Sequence, residues 1–319
     1  MRLVLDRIAD AARHIPPELR DSPQFVSGPL SDLLGCTLTL KVETLNPIRS
    51  FKGRGAATFV ARAADGLARG VVCASAGNFG QAMAYACRPR RIPVVVYAAR
   101  NANPLKIERM RSLGADVRLE GDNFDAAKAA ARLRGAATGA VMIEDGLQPE
   151  ISEGAGTIAV ELLARGDRFD VVVVPVGNGA LIGGMARWIK ARAPETEVVG
   201  VCSRGASSMA DSWRNGPGGA IVSYAAVDTI ADGIAVREPI PEAVADMLDL
   251  VDDVLLVDDA QLIAAMRLLH LHAGLVVEPA GAAGVAALLA ESSRFAGKRV
   301  ATPLCGGNLT AEQIAAWLG

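Results

Sequence analysis

The chain has 319 residues, 51% of them hydrophobic and only 4% aromatic, with a formal net charge of −2. That is ample apolar material for a large core and two lobes, and so even a charge balance leaves no electrostatic footprint for nucleic acid or another polyanion. No uninterrupted apolar run approaches membrane-spanning length, and the opening Met1-Arg2-Leu3-Val4-Leu5-Asp6-Arg7 is broken by charges, unlike a signal peptide.

In chain order, the first segment with chemistry in it is Ser50-Phe51-Lys52-Gly53-Arg54-Gly55-Ala56, just after Asn46-Pro47. A lysine that forms a Schiff base needs a fixed position, a neutral fraction near pH 7 and room for a ring beside it. Phe51 would flank such a ring; taken alone, the segment reads better as a basic loop with a solvated lysine. Next, Gly70-Val71-Val72-Cys73-Ala74 reads as a strand and Ala82-Met83-Ala84-Tyr85-Ala86 as a helix. Between them, Ser75-Ala76-Gly77-Asn78-Phe79-Gly80-Gln81 falls at a strand end and a helix N-terminus, where free N–H groups collect an anion such as a carboxylate. Capping of the helix by Ser75 or Asn78 is the alternative reading.

Strand-like and helix-like runs then alternate: residues 92–97, 106–113, 115–119 and 125–133, with Pro104 near the start of the first helix, where its missing N–H is harmless. The alternation argues for parallel sheets with crossover helices. The Val171-Val172-Val173-Val174 run looks like a buried parallel strand. It leads into Gly177-Asn178-Gly179-Ala180-Leu181-Ile182-Gly183-Gly184, a loop suited to cradling a phosphate at a helix N-terminus. A dinucleotide-binding turn fits poorly. The third glycine comes one place late, at Gly183, and the following strand, Glu197 to Val201, ends at Cys202 instead of an acidic residue. A phosphate loop of the lysine-Ser/Thr type is also missing.

The paired acids Asp252-Asp253 and Asp258-Asp259 read as solvated turn or helix-start residues. His270 and His272 alternate within a helical stretch and so point apart; with His14 they are the only histidines, which argues against a His-based metal site. Leu304-Cys305-Gly306-Gly307-Asn308 places a thiol at the end of a short strand that begins near Lys298. The five cysteines, at 36, 73, 87, 202 and 305, are scattered without CxxC spacing, which fits a reducing cytoplasm.

Together the segments around Lys52, Asn78, Gly177 and Cys305 resemble the fold-type II pyridoxal-phosphate enzymes, specifically the threonine/serine dehydratase and serine racemase group. Thr229-Ile230-Ala231-Asp232-Gly233-Ile234 and Val277-Glu278-Pro279-Ala280-Gly281 match it as well, in the right order over nearly the whole chain. The resemblance implies an α/β fold like that of the tryptophan synthase β subunit. Its two three-layer α/β/α lobes would be a small one at 49–140 and a large one at 1–48 plus 141–319, with pyridoxal 5'-phosphate in the cleft between them. It implies that Lys52 holds the cofactor, Phe51 and the Gly233 backbone cover the two ring faces, and Asn78 bonds the ring 3'-oxygen. Gly177, Asn178, Gly179, Ala180 and Leu181 would bind the phosphate, and Cys305 would face the ring nitrogen where many relatives have serine. Ser75, Ala76, Gly77, Asn78 and Phe79 would take the amino-acid substrate. A homodimer is implied too. The biosynthetic dehydratases carry a further regulatory domain, for which the sequence after Asn308 leaves no room, so end-product feedback is not expected.

Three departures shape the expectations. Ala76 stands where the racemases have a serine acid/base, so elimination on one face is favoured over racemisation. Cys202 and Ser208 stand where some relatives supply a glutamate and an aspartate to a divalent cation, so no metal is expected there. The stretch Ile143 to Gly154 replaces a His-Pro-rich one, and Phe79 replaces a common histidine, so the substrate need not be threonine. Arg49, Arg54 and Arg204 are candidates for a second substrate carboxylate, each with a structural alternative. The reaction expected is α,β-elimination from a β-hydroxy or β-substituted L-amino acid, giving a 2-keto acid and ammonia. A neutral thiol at Cys305 suits it, because the ring is then a weaker electron sink than one paired with a carboxylate. A β-replacement enzyme of the cysteine-synthase kind, an amino-acid racemase and a vestigial binding protein are the alternatives.

Overall fold

The computed structural model describes residues 1–319. The chain opens with α1 (Leu5–Ala11), β1 (Gln24–Val26), α2 (Gly28–Leu34) and β2 (Thr37–Val42). It then builds a run of α3 (Lys52–Ala63), β3 (Val71–Ala74), α4 (Asn78–Cys87), β4 (Val94–Ala98), α5 (Pro104–Ser112), β5 (Asp116–Leu119), α6 (Phe124–Thr138) and β6 (Val141–Ile143). It returns through α7 (Pro149–Ala164), β7 (Val171–Pro175), α8 (Ala180–Arg192), β8 (Glu197–Ser203), α9 (Ser208–Arg214) and α10 (Pro241–Leu248). The last elements are β9 (Asp253–Val257), α11 (Asp259–Ala273), α12 (Pro279–Ala290), α13 (Ser292–Phe295), β10 (Arg299–Leu304) and α14 (Ala311–Leu318).

The strands form two sheets, a six-stranded one in the order β1-β2-β10-β7-β8-β9 and a four-stranded one in the order β5-β4-β3-β6. Only the β1–β2 pair is antiparallel. Parallel strands covered by helices on both faces should be apolar throughout, and Val171 to Val174 are fully buried. The four-stranded unit takes in Val141–Ile143, which pairs with β3. Its edge therefore runs three residues beyond the boundary expected at 140, because the crossover helix α6 delivers the chain back to the same sheet. Asp253 opens a strand where a turn or helix start was expected, while Asp258 caps α11 with a full capping box to Gln261. No helix is long and apolar enough to cross a membrane.

In open α/β sheets, ligands bind beyond the carboxyl ends of the strands where the strand order reverses. The six-stranded sheet reverses between β10 and β7, and the four-stranded one between β3 and β6. Beyond these four strand ends lie Cys305, Gly177, Ser75 and Asp145, and near them Asn78 at the start of α4 reaches Glu278 and Asn308 while Lys52 reaches Asp145.

One buried charge network ties α3 to the end of β2 and to α7. Arg54 is 1% exposed and donates to Glu43 Oε2 (2.8 Å) after β2, to Glu161 Oε1 (2.6 Å) on α7 and to Thr157 Oγ1 (3.1 Å). Lys41 Nζ also reaches Glu161 at 2.6 Å. Arg54 is thus structural and is not available to a substrate carboxylate. Burial alone would raise Glu161, but the Arg54 guanidinium and Lys41 hold it down at about 2, against 4.5 for an ordinary glutamate. A depressed carboxylate stabilises the fold at pH values above its unfolded pKa and loses that contribution as pH falls. This contribution is therefore complete above about pH 4.5 and disappears toward pH 2, on the order of 3 kcal/mol. Arg54→Met strands the buried Glu43 carboxylate, leaves Glu161 with Lys41 alone, and is expected to cost about 3–5 kcal/mol in guanidinium unfolding. It should also flatten the acid limb of the stability–pH curve; an unchanged midpoint would mean that the network carries no stability.

Candidate active site

Lys52 is the first residue of α3, and its position is set by backbone bonds to the far end of the chain. The Phe51 N–H donates to the Cys305 carbonyl (3.1 Å), the Gly307 N–H to the Arg49 carbonyl (2.9 Å), and Ser50 bridges Gly306. The start of α3 is thereby stitched to the end of β10. Phe51 is buried, with the Lys52 amine 4.6 Å from its ring centroid. Lys52 Nζ donates to Asp145 Oδ2 at 2.5 Å, beyond the end of β6.

The Ser75 hydroxyl accepts from the Gly77 N–H (3.1 Å) and the Gly80 N–H (2.9 Å). It thus braces the turn into α4 and keeps only its own O–H to donate. Asn78 opens α4, whose first turn the Ser75 hydroxyl caps through the Gly80 N–H, as the capping alternative had it for Ser75. The Asn78 amide faces the six-stranded unit: Nδ2 donates to Glu278 Oε1 at 2.6 Å, and Oδ1 accepts from Asn308 Nδ2 at 2.8 Å. One of its two N–H donors remains free for a ring oxygen. The Phe79 ring is packed in the core of the four-stranded unit with Val96, Met83 and Met110. What Phe79 offers a substrate is therefore its backbone N–H in the first turn of α4. Ala76 presents only a methyl, half-buried.

Gly177 to Leu181 form the turn from β7 into α8. Gly179 has φ +83°, a conformation that favours glycine, and no side chain caps α8. Its first N–H groups are free for an anion that the helix dipole also favours. A Cβ at Gly177 would lie 2.7 Å from the Gly233 carbonyl oxygen, so the phosphate turn and the Gly233 segment lie against each other. The Cys305 thiol is buried and donates to the Ala280 carbonyl at 3.7 Å. Burial, with the Glu278 carboxylate adding to it, pushes this thiol up to about 12. It stays an S–H at physiological pH, as the sequence reading required of a neutral partner.

The structure thus brings Lys52, Phe51, Asn78, the Gly177–Leu181 turn, Gly233 and Cys305 around one cleft. These residues fit pyridoxal phosphate: an amine on a fixed helix start, an uncapped helix for the phosphate, a spare amide N–H and a neutral thiol. Sequence reasoning assigned no role to four further residues. Glu278 is fully buried beneath Asn78, also accepts from the Asn308 N–H (3.1 Å), and is pushed up by burial although Lys106 pulls the other way. Lys106 is buried on α5 and bonded to Asp232, next to Gly233. Burial would lower the Lys106 amine, but Glu278 and Asp232 outweigh it and hold the amine above its usual value. Asp145 is the fourth. Its signal was available in principle, since it directly follows a strand beside a sheet reversal. For the other three the side-chain partners, Asn78 for Glu278 and Asp232 for Lys106, lie more than a hundred residues away.

Of the other candidates for a second substrate carboxylate, Arg204 is placed elsewhere, and Arg49 adjoins the site through its backbone. Arg204 is exposed, with its nearest partner the Leu256 carbonyl at 3.4 Å, and Arg49 is exposed in a turn with φ +50°. Cys202 is fully buried, and the Ser208 hydroxyl is spent on the Val236 carbonyl at 2.7 Å.

Comparison with known proteins identifies the family of the chain. Residues 15–306 match the family model described as pyridoxal-phosphate dependent enzyme. An L-threonine ammonia-lyase of Thermotoga maritima is 37% identical over 313 residues, which cover 98% of this chain and 77% of the relative. Among solved structures, maize serine racemase superposes with a TM-score of 0.91 at 28% identity, covering 99% of this chain and 97% of that one. The processed form of threonine deaminase isoform 2 from Solanum lycopersicum gives 0.90 at 30% identity, covering 98% and 86%.

The thiols supply a check on the site. Cys73, Cys87, Cys202 and Cys305 are all buried and pushed up to about 12. At pH 8 a disulfide reagent is expected to label none of these four in the native protein within minutes, and all of them in guanidinium. Rapid native labelling of Cys305, read by peptide mass spectrometry, would mean that it is not held as a neutral partner.

Proposed function

The chain belongs to the pyridoxal-phosphate dependent enzyme family, and on that premise we propose that it is an ammonia-lyase. It carries out α,β-elimination on a β-hydroxy or β-substituted L-amino acid, releasing a 2-keto acid and ammonia. The observation that carries this reading is the convergence of Lys52, the uncapped start of α8 and the protonated Cys305 in one cleft. The chain's 37% identity to a threonine ammonia-lyase supports it.

Pyridoxal phosphate, when bound, supplies an electron sink conjugated to the substrate Cα. The chain's own residues do the rest. The free N–H groups at the start of α8 hold the phosphate, and the Asn78 amide fixes the ring edge while anchored from behind by Glu278 and Asn308. The Ser75 hydroxyl and the first-turn N–H groups of α4 orient the substrate carboxylate. The Lys52 amine, freed by the substrate, takes the α-proton on its own face, as a positioned base must. The Cys305 S–H leaves the ring nitrogen uncharged, which favours prompt loss of a leaving group over a long-lived carbanion. With Ala76 on the other face there is no second acid/base, so the α-centre is not returned inverted. The enamine product tautomerises and hydrolyses in water to the keto acid and ammonia. A homodimer and a cytoplasmic location belong to this reading through the family resemblance and the five unpaired, buried cysteines.

The test is a visible-spectrum titration of the purified holoenzyme with serine, threonine, both 3-hydroxyaspartates and diaminopropionate, with 2-keto acid followed in the same cuvette. One of them is expected to shift the absorption and yield keto acid. A persistent new band without keto acid, discharged only by a nucleophile such as sulfide, would replace the lyase reading with β-replacement. Lys52→Ala is expected to abolish turnover with the fold intact; near-normal turnover would refute the role of Lys52.

A further inference from the structure

Asp145 is a charged residue beside Lys52 that the scheme above leaves idle. It sits just past β6, at the reversal point of the four-stranded sheet. Gly146 follows it with φ +90° and packs against the Asn178 carbonyl of the phosphate turn so closely that no side chain fits there. This contact fixes Asp145 between Lys52 and the phosphate turn. Its side chain is 11% exposed. Oδ2 accepts from Lys52 Nζ, whereas Oδ1 is buried and accepts from nothing in the protein. A buried carboxylate oxygen without a donor is costly, so an oxygen left unpaired on the carboxylate that holds the Lys52 amine is suited to a donor that the substrate brings.

We propose that Asp145 selects the β-substituent: its carboxylate accepts a hydrogen bond from a substrate hydroxyl or ammonium and repels a second carboxylate. The inference rests on the lyase reading. Lys52 works at Cα, and the leaving group is one carbon–carbon bond further on, so a carboxylate in hydrogen-bond contact with Lys52 Nζ lies within reach of it. Three nearby cations are occupied. Arg54 is bound by Glu43 and Glu161, Lys106 by Asp232, and Arg109 donates to Asn308 Oδ1. None of these three is free to neutralise a second substrate carboxylate beside Asp145; the exposed Arg49 has no ion-pair partner and lies by Arg109.

The proton balance follows. The α-C–H bond breaks and its proton goes to Lys52, which Asp145 then holds as an ammonium. The bond from Cβ to the substituent breaks with its electron pair on the substituent. A hydroxyl leaves as water with the proton from Lys52, and an ammonium leaves as ammonia with no added proton.

The test compares holoenzyme and Asp145→Asn in kcat/KM for L-serine, L-2,3-diaminopropionate and L-threo-3-hydroxyaspartate. Binding of L-alanine and L-aspartate, which carry no leaving group, is read from the visible absorption. Like-charge juxtaposition is worth several powers of ten at most and tenfold at least. The wild type is expected to prefer serine or diaminopropionate over hydroxyaspartate by about 100-fold, mostly in KM. Asp145→Asn should cut that preference to about tenfold and tighten L-aspartate about tenfold, with L-alanine unmoved. Equal ratios in both proteins with L-aspartate binding unchanged would overturn the proposal. So would a wild type that prefers hydroxyaspartate, a result that needs no variant to fold. A wild type that eliminates from none of the three, while binding L-alanine, refutes the lyase reading and not the charge selection, which the L-aspartate comparison then decides alone.

Discussion

The site depends on one piece of backbone pairing. Residues 49–51 and 305–307 are separated by most of the chain, yet exchange two main-chain hydrogen bonds, at 3.1 and 2.9 Å, and a bridge. These bonds place the first residue of α3 over the end of β10, so the position of Lys52 and that of Cys305 are a single variable. A side-chain contact alone would leave rotamers to choose among; paired backbone does not. The remaining ligand groups, at the ends of β3 and β7, arrive from strands whose register with β10 and β6 is already fixed by parallel pairing.

The buried charges divide into two sets with different consequences. The set around Arg54 is fully partnered: one guanidinium and one amine face two carboxylates, with Thr157 and Ser22 completing the hydrogen bonds. Such a set resists removal of any member and holds α3 rigidly behind Lys52. The set in the cleft is incomplete. Asp145 keeps an oxygen without a donor, Glu278 is pushed up by burial, and Lys106 shares Asp232, itself half exposed. Rigid, satisfied charge behind the site and unsatisfied charge in front of it is the arrangement expected where binding energy must come from the ligand.

Much of this was legible in the sequence, for physical reasons. The Val171–Val174 run, buried on both faces, could hardly be anything but a central parallel strand. The glycines of 177–179 marked a helix start without a capping side chain. Lys52 stood out because a lysine between an aromatic and glycines needs a reason. Other features were not legible. Phe79 was expected near the substrate side chain, yet its ring turns into the core with Met110, because helix periodicity at the first turn decides direction and the sequence does not reveal where the turn begins. The strand at 141–143 is too short to carry a pattern of its own; only pairing with β3 makes it one. Asp145 and Glu278 take their meaning from partners 93 and 200 residues away, Lys52 and Asn78. A single sequence carries no record of such pairs.

The charge inventory of the cleft also bears on why elimination suits it better than chemistry that needs a persistent carbanion. A stabilised carbanion wants a cationic ring, and that requires an anionic partner at the ring nitrogen. In the reading proposed above the partner is a thiol that burial, with the Glu278 carboxylate adding to it, keeps protonated, while Asp145 lies beside the lysine. The group facing the ring nitrogen would then carry no charge of its own, and Asp145 is placed to hold the lysine ammonium after proton transfer. The two choices act in the same direction. A bound cofactor with an uncharged ring nitrogen would be a weaker electron sink, so the neutral thiol and the carboxylate beside the lysine would together favour loss of the β-substituent.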